Sequence, residues 1–437
     1  MRFKKIIPKD NTIFLYHNLI LLTDTINNKY DPLAAVKIPE YRNMLIGRFC
    51  FVMALRMLGT LVGWWMYELT SAPFAIGLIG LAEVIPALSL ALYAGHVIDI
   101  SEKRKLLLKG VASYLFCAII LLLLSTKYFS NHSSKAIIIG GIYIIIFITG
   151  IIRAFSGPIF GAILGQMVPR EILPNAITWN QGTYLSASVV GHATAGFCIA
   201  FLKNTGTLGV IVVLMFAALF MLSKLFPKPA AVITGNKRTW ESVREGLHFV
   251  FSTKEVLGAL SLDLFAVLFG GAVAMVPVYA RDILHVGPIG FGWLNGASDM
   301  GSIIMVIALA IFPLKTKQGQ KLLFVVAGFG LCIILFGISK IFWISFAALL
   351  VSGLLDAISV VVRGTIVQMK TPDEMRGRVM SVNSMFINSS NELGQFESGL
   401  TAKLMGVVPS VVFGGIMTIS VVIVTWFKAP SMRKMEY

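Results

Sequence analysis

The chain has 437 residues, of which 57% are hydrophobic and only 13% charged, and its mean hydropathy is +0.82. Soluble domains carry about 25% charged residues, so the composition excludes an ordinary water-soluble fold. The net charge of +16 could suggest nucleic acid as a partner, but the basic residues are scattered over many short stretches and form no single patch.

Residues 1–45 are mixed and basic, and their apolar stretch, Ile13 to Thr23, is shorter than the roughly 20 residues that cross hydrocarbon as a helix. They read as a cytoplasmic lead-in and not as a cleavable signal. Long apolar blocks follow. Breaks such as Ser71-Ala-Pro73, Asn204-Thr-Gly206, Gly287-Pro288 and Thr371-Pro372 separate them. They predict spans at 46–68, 74–98, 106–125, 136–166, 176–202 and 208–223, then at 256–280, 289–313, 322–338, 341–368, 379–403 and 408–427. A backbone in hydrocarbon must satisfy its own hydrogen bonds, and the alternation of a membrane barrel is absent, so these spans are helices.

The expected architecture is an all-α integral membrane protein with twelve transmembrane helices in two pseudo-symmetric six-helix halves, 46–223 and 256–427. The N-terminal segment 1–45, a central loop 224–255 and a tail 428–437 are then cytoplasmic. With the N-terminus inside, most of the 37 Lys and Arg residues fall in the cytoplasmic tails and loops, as the positive-inside rule requires. The halves look related. A shift of 203 residues lays Ala154, Ser156, Gly161, Ile163, Pro169 and Glu171 on Ala357, Ser359, Gly364, Ile366, Pro372 and Glu374. Two related halves suggest a transporter with its site between them. Cys50, Cys117, Cys198 and Cys332 fall in different spans and suggest neither a disulfide framework nor a metal site.

Charge inside the spans points to the interior, because ionisable groups at mid-membrane face protein or a watery path. They are Arg56, Glu83, Arg153, Asp263, Asp299, Asp356, Arg363, Glu392 and Glu397, joined by His192. Arg56 with Glu83, or Asp356 with Arg363, could equally be structural ion pairs. The last two are seven apart on one helical face. The third, sixth, ninth and twelfth spans hold no charge beyond Lys109 and are expected outermost.

The loop after the second span reads Gly95-His-Val-Ile-Asp99-Ile-Ser-Glu-Lys103-Arg104-Lys105. It resembles the Gly-x-x-x-Asp…Arg-Arg signature of the major facilitator superfamily, with Ile100 and Glu102 as departures. Trp64-Trp-Met-Tyr67-Glu-Leu-Thr70-Ser-Ala-Pro73, Gly270-Gly-Ala-Val-Ala-Met-Val-Pro277 and Gln368-Met-Lys-Thr-Pro-Asp-Glu-Met-Arg376-Gly-Arg378 extend the likeness. Together they resemble the branch holding enterobactin (siderophore) exporters and macrolide efflux proteins. Drug–proton antiporters often carry Gly-Pro-x-x-Gly-Gly in the fifth helix, where Gly191-His192-Ala-Thr-Ala195-Gly196 stands here.

The resemblance implies a monomeric secondary transporter in a bacterial cytoplasmic membrane, exporting a small amphipathic organic compound in exchange for protons by alternating access. It implies a cytoplasmic gate at Gly95, Asp99, Lys103, Arg104, Arg376 and Arg378. Glu83, Asp299, Asp356 and Glu392 are candidate proton carriers, and Arg56 and Arg153 suggest an anionic group on the substrate or a carboxylate partner. A lipid or lysolipid flippase and a small-anion importer are the alternatives within transport. A membrane enzyme or sensor is the alternative outside it, but phosphate-loop, His-Glu-x-x-His and Gly-x-Ser-x-Gly motifs are missing. No cofactor or metal is expected.

Overall fold

The computed structural model describes residues 31–157, 159–227, 239–312, 317–372 and 375–433. Helix α1, Pro39–Thr70, opens on a proline, whose fixed φ and missing N–H suit a first helical position. It begins earlier than predicted and stops where Ser71 turns left-handed and returns its N–H to the Tyr67 carbonyl. Helices α2 (Pro73–Ile100), α3 (Lys103–Leu124) and α4 (Lys135–Ser156) follow. The predicted fourth span is broken, because α4 ends at Ser156 and a short helix, Ile159–Leu164, succeeds it.

Helix α5, Leu173–Ser223, contains two predicted spans as arms that meet at Lys203, whose φ is 58°. The arms run antiparallel. Asn180 on the first and Leu222 on the second both reach the start of α1, at Arg48 and Gly47. Helix α6, Thr239–Ser252, links the halves, and its Val250 packs into a small core with Val256, Val367 and Val379.

Helix α7, Lys254–Phe269, ends at Gly270-Gly271, and tight irregular turns carry the chain on to Ile283. The sequence pattern reads 256–280 as one helix. A Cβ on Gly271 would lie 2.7 Å from the Gly394 carbonyl, so the chain leaves the helix where another passes it closely. Helices α8 (Gly287–Ile311), α9 (Gln318–Ile338), α10 (Phe342–Lys370), α11 (Arg376–Met405) and α12 (Val407–Lys428) complete the bundle.

Among the described residues, ten segments are long and apolar enough to cross a membrane by length and composition alone. One of them, Arg170–Ser223, holds both arms of α5, and α11 is long enough but too polar to qualify. Counting the two arms separately and adding α11 is consistent with the expected twelve passages. The polarity of α11 is turned inward, since Asn383, Ser390, Glu392 and Ser398 are all buried.

One apolar core lies in the first half and holds Met57, Leu107, Leu121, Ile142 and Met215, and a second, around Tyr279, Phe291 and Phe336, also takes in Tyr67 and Ile76 of the first half. Helix α3 packs chiefly on α4 and α5, and α9 on α10 and α12, within their own halves. Their outer side chains, among them Phe116, Leu123, Phe324 and Leu331, are exposed apolar surface suited to lipid. This agrees with the outermost position expected for spans without mid-helix charge.

The halves meet along two seams, α2 against α11 and the first arm of α5 against α8. Both are closed by glycines near the end of the bundle that carries the 70–73 loop. A Cβ on Gly77 would come within 2.9 Å of the Gly399 Cα, and one on Gly196 within 3.0 Å of the Gly292 Cα. Without side chains to hold them apart the backbones touch.

Candidate functional site

Glycine spacing sets the charge contacts at the first seam. A Cβ on Gly150 of α4 would sit 2.5 Å from the Glu83 carbonyl, so α4 crosses α2 closely beside Pro86. That crossing brings Arg153 Nη1 to 2.8 Å from Glu83 Oε1. One turn earlier on α2, a Cβ on Gly80 would lie 2.6 Å from the Glu392 carbonyl, which brings α11 against the same place. Arg153 therefore also pairs with Glu392, and this second ion pair crosses between the halves. The Glu392 side chain is buried, and its Oε2 has no hydrogen-bond partner among the described residues. The sequence offered Arg56 as a partner for Glu83. The structure gives that carboxylate to Arg153.

The second seam has its own polar chain. A Cβ on Gly191 would come within 2.8 Å of the Met53 carbonyl, so α5 lies close on α1. Thr60 Oγ1 is 2.7 Å from His192 Nδ1 and donates to the Arg56 carbonyl at 2.8 Å. Across the seam, Asp299 accepts a hydrogen bond from Ser188 at 2.5 Å and lies 3.5 Å from His192 Nε2. With the threonine proton given to Arg56, we assign the proton on Nδ1 to His192 from this hydrogen-bond pattern. Histidine and carboxylate thus face each other where the halves join.

The remaining charges divide. Arg363 is buried and paired with Asp263 of α7, and this corrects the pairing with Asp356 that their shared helical face suggested. Asp356 and Asp263 line one small cavity with Ser359 and Phe329. Glu397 stands on α11 between Phe396, whose ring meets Phe74, and Ser398, which approaches Gly271, outside both polar networks. Of the expected gate residues, Lys103 is buried at the start of α3, and Arg104 Nη2 donates to the Ser223 carbonyl at 2.7 Å. Arg378 pairs with Glu245 of the linking helix α6. Gly95, Asp99 and Arg376 fall within helices, but their side chains lie outside the described residues.

Several polar and aromatic contacts went unnoticed in the sequence. Arg48 donates to Asn180 Oδ1, and its guanidinium carbon lies 5.2 Å from the Phe160 ring centroid and 5.6 Å from that of Tyr184. Arg56 donates to the Tyr184 hydroxyl at 2.6 Å. Near the glycine-closed end, Tyr67 donates to Asp282, Arg281 lies over the Tyr67 ring, and Trp64 meets Phe291 at 5.4 Å. No spacing pattern marks these contacts, since each joins helices far apart in the chain.

Twelve passages in two halves, with charged groups paired across the seams between them, define a membrane transporter of the major facilitator type. Residues 32–437 match the family described as transmembrane secretion effector, and the chain belongs to it. It is similar to the uncharacterized MFS-type transporter YfmI of Bacillus subtilis, 24% identical over 332 residues that cover 73% of this chain and 79% of YfmI. It is also similar to the enterobactin exporter EntS of Escherichia coli, 23% identical over 349 residues, 78% of this chain and 80% of EntS. Solved structures of the nucleoside transporter NupG and of a D-xylose–proton symporter share the fold, each with a TM-score of 0.66. The first is 13% identical and covers 91% of this chain and 99% of its own. The second is 12% identical and covers 92% and 99%.

Proposed function

We propose that the chain is a secondary active exporter of a small amphipathic organic compound, siderophore-like or drug-like, driven by exchange for protons. It would work by alternating access as a monomer in a bacterial cytoplasmic membrane, with both termini inside. The observation that carries this reading is the pair of polar links across the seams, Arg153–Glu392 and His192–Asp299. In each, a carboxylate of one half meets a basic group of the other, so protonation and substrate can act on the same link. Similarity to the enterobactin exporters supports export, and the basic cytoplasmic loops support the orientation. In that orientation the glycine-closed end faces outward, and the state described here would open inward.

A second reading, a lipid or lysolipid flippase, draws on an apolar groove of about 400 Å³ between α8 and α10, lined by Ile289, Trp293, Trp343 and Phe346. Proteoliposomes with an imposed pH gradient, loaded in turn with a catecholate siderophore, a macrolide and a lysolipid, decide between the two. Proton-driven movement of either of the first two supports the exporter. Movement of the lysolipid alone overturns it, as does movement of every substrate at the rate of protein-free vesicles.

A further inference from the structure

We propose that Arg48, Arg56, Tyr184 and Asn180 form a binding site for the anionic group of an aromatic acid. The inference rests on the exporter reading and names the substrate class that this reading leaves open.

Three other basic groups inside the spans each have an acidic partner. Arg153 has Glu83 and Glu392, Arg363 has Asp263, and His192 has Asp299. Among the described residues Arg48 and Arg56 bond to neutral groups, the Asn180 amide oxygen and the Tyr184 hydroxyl. Among the described residues neither arginine is ion-paired with a carboxylate, and Asp299, the acid nearest to the Arg56 network, is already hydrogen-bonded to Ser188.

The two guanidinium carbons lie 5.6 and 5.5 Å from the centroid of the same tyrosine ring, so they are at most about 11 Å apart. A guanidinium in a membrane-spanning bundle is costly without an anion beside it. The Arg48 Nε is buried and has no hydrogen-bond partner among the described residues, leaving a donor open. A guanidinium with free donors matches a carboxylate or a catecholate in a planar fork. The rings of Tyr184 and Phe160 supply aromatic faces for the rest of the molecule. Arg48 lies two turns nearer than Arg56 to the end of α1 that carries the chain termini, so the pair forms a ladder leading inward from that end.

The test is equilibrium binding of 2,3-dihydroxybenzoate to the purified full-length protein, beside its neutral amide and the cationic benzylamine. The acid should bind, and the amide and the amine should bind at least tenfold more weakly. Arg48→Gln and Arg56→Gln should each weaken the acid about tenfold or more, with the amide unchanged. Arg42→Gln, on an exposed turn of the same helix, should bind as wild type and have the same melting temperature. Arg48→Lys keeps the charge and loses the fork, so it should fall between wild type and Arg48→Gln. Equal binding of acid and amide, or wild-type affinity in both glutamine variants, overturns the site. Transport in the same preparation separates the two claims. Wild-type efflux that survives in both variants removes this site and leaves the exporter standing. Absent efflux in the wild type removes the exporter, while the binding result still stands or falls by itself.

Discussion

Glu392→Gln isolates the charge that crosses between the halves. The substitution keeps the shape and one hydrogen-bonding oxygen and removes the negative charge. Hydrogen bonds to charged groups contribute about 1.5–3 kcal/mol and neutral ones about 0.5–1.5, so the change costs roughly 1–1.5 kcal/mol. The Glu392 side chain is only 6% exposed, which leaves little solvent to screen the loss. Arg153 retains Glu83 at 2.8 Å, so the arginine is not stranded and the first half stays folded. The loss therefore falls on the equilibrium between states, where about 1.4 kcal/mol is a tenfold change in population.

Spin labels at Ser71→Cys and Leu404→Cys, in a background without the four native cysteines, sit on exposed residues of opposite halves at the glycine-closed end. In Glu392→Gln the long-distance population should rise five- to tenfold, as estimated from that energy. Glu83→Gln removes a contact within one half and should leave the distribution almost unchanged. An unaltered distribution in Glu392→Gln, or an equal shift in both variants, refutes the reasoning.

The coupling carboxylate should reveal itself among Glu83→Gln, Asp299→Asn, Asp356→Asn and Glu392→Gln, made singly. Neutralising it abolishes pH-driven efflux from vesicles while downhill exchange persists, and full pH-driven transport in all four rules these groups out. Gly196→Val should prise the second seam apart, because its Cβ would lie 2.6 Å from the Pro288 carbonyl. Overpacking of this kind costs about 1–3 kcal/mol, so the same label pair should move to longer distance, and a wild-type distribution would show that the seam is not in contact. Arg363→Ala should destabilise the second half by about 3–5 kcal/mol by stranding buried Asp263, whereas Asp263→Leu with Arg363→Met should recover most of the loss. A single variant that melts like wild type in detergent would show the pair to be dispensable.

Which helices face the interior was legible in the sequence, because a charge in a span has few other places to go. The uncharged spans lie outside, and α11, the most polar, lies at a seam. Pairing was not legible. Asp356 and Arg363 share a face, but seven residues along a helix are about 10 Å, too far for a bond. Arg363 found its acid on α7, and Glu83 found its base on α4. Those choices depend on how closely particular helices cross, and the crossings are marked by Gly80, Gly150, Gly191 and Gly196, whose missing Cβ atoms the charge pattern ignores. Reading the glycines as points of close approach would have brought Glu392 to Arg153, and Asp299 to His192. Arg48 escaped notice because it stands near the edge of its span, where a basic residue is ordinary.

The two cross-seam links share a polarity. The second half supplies the carboxylates, Glu392 and Asp299, and the first half supplies Arg153, His192 and Ser188. On the exporter reading, a proton reaching the second half and an anion reaching the first weaken the same links from opposite sides. A proton removes the carboxylate charge, and an anion competes for the arginine. A cationic substrate would instead seek the carboxylates and compete with the proton directly. The sign of the substrate thus decides whether proton and cargo contend for one group or act on two. With the anion held at Arg48 and Arg56, as proposed, the cargo would act in the first half and the second half's acids would be left to the proton.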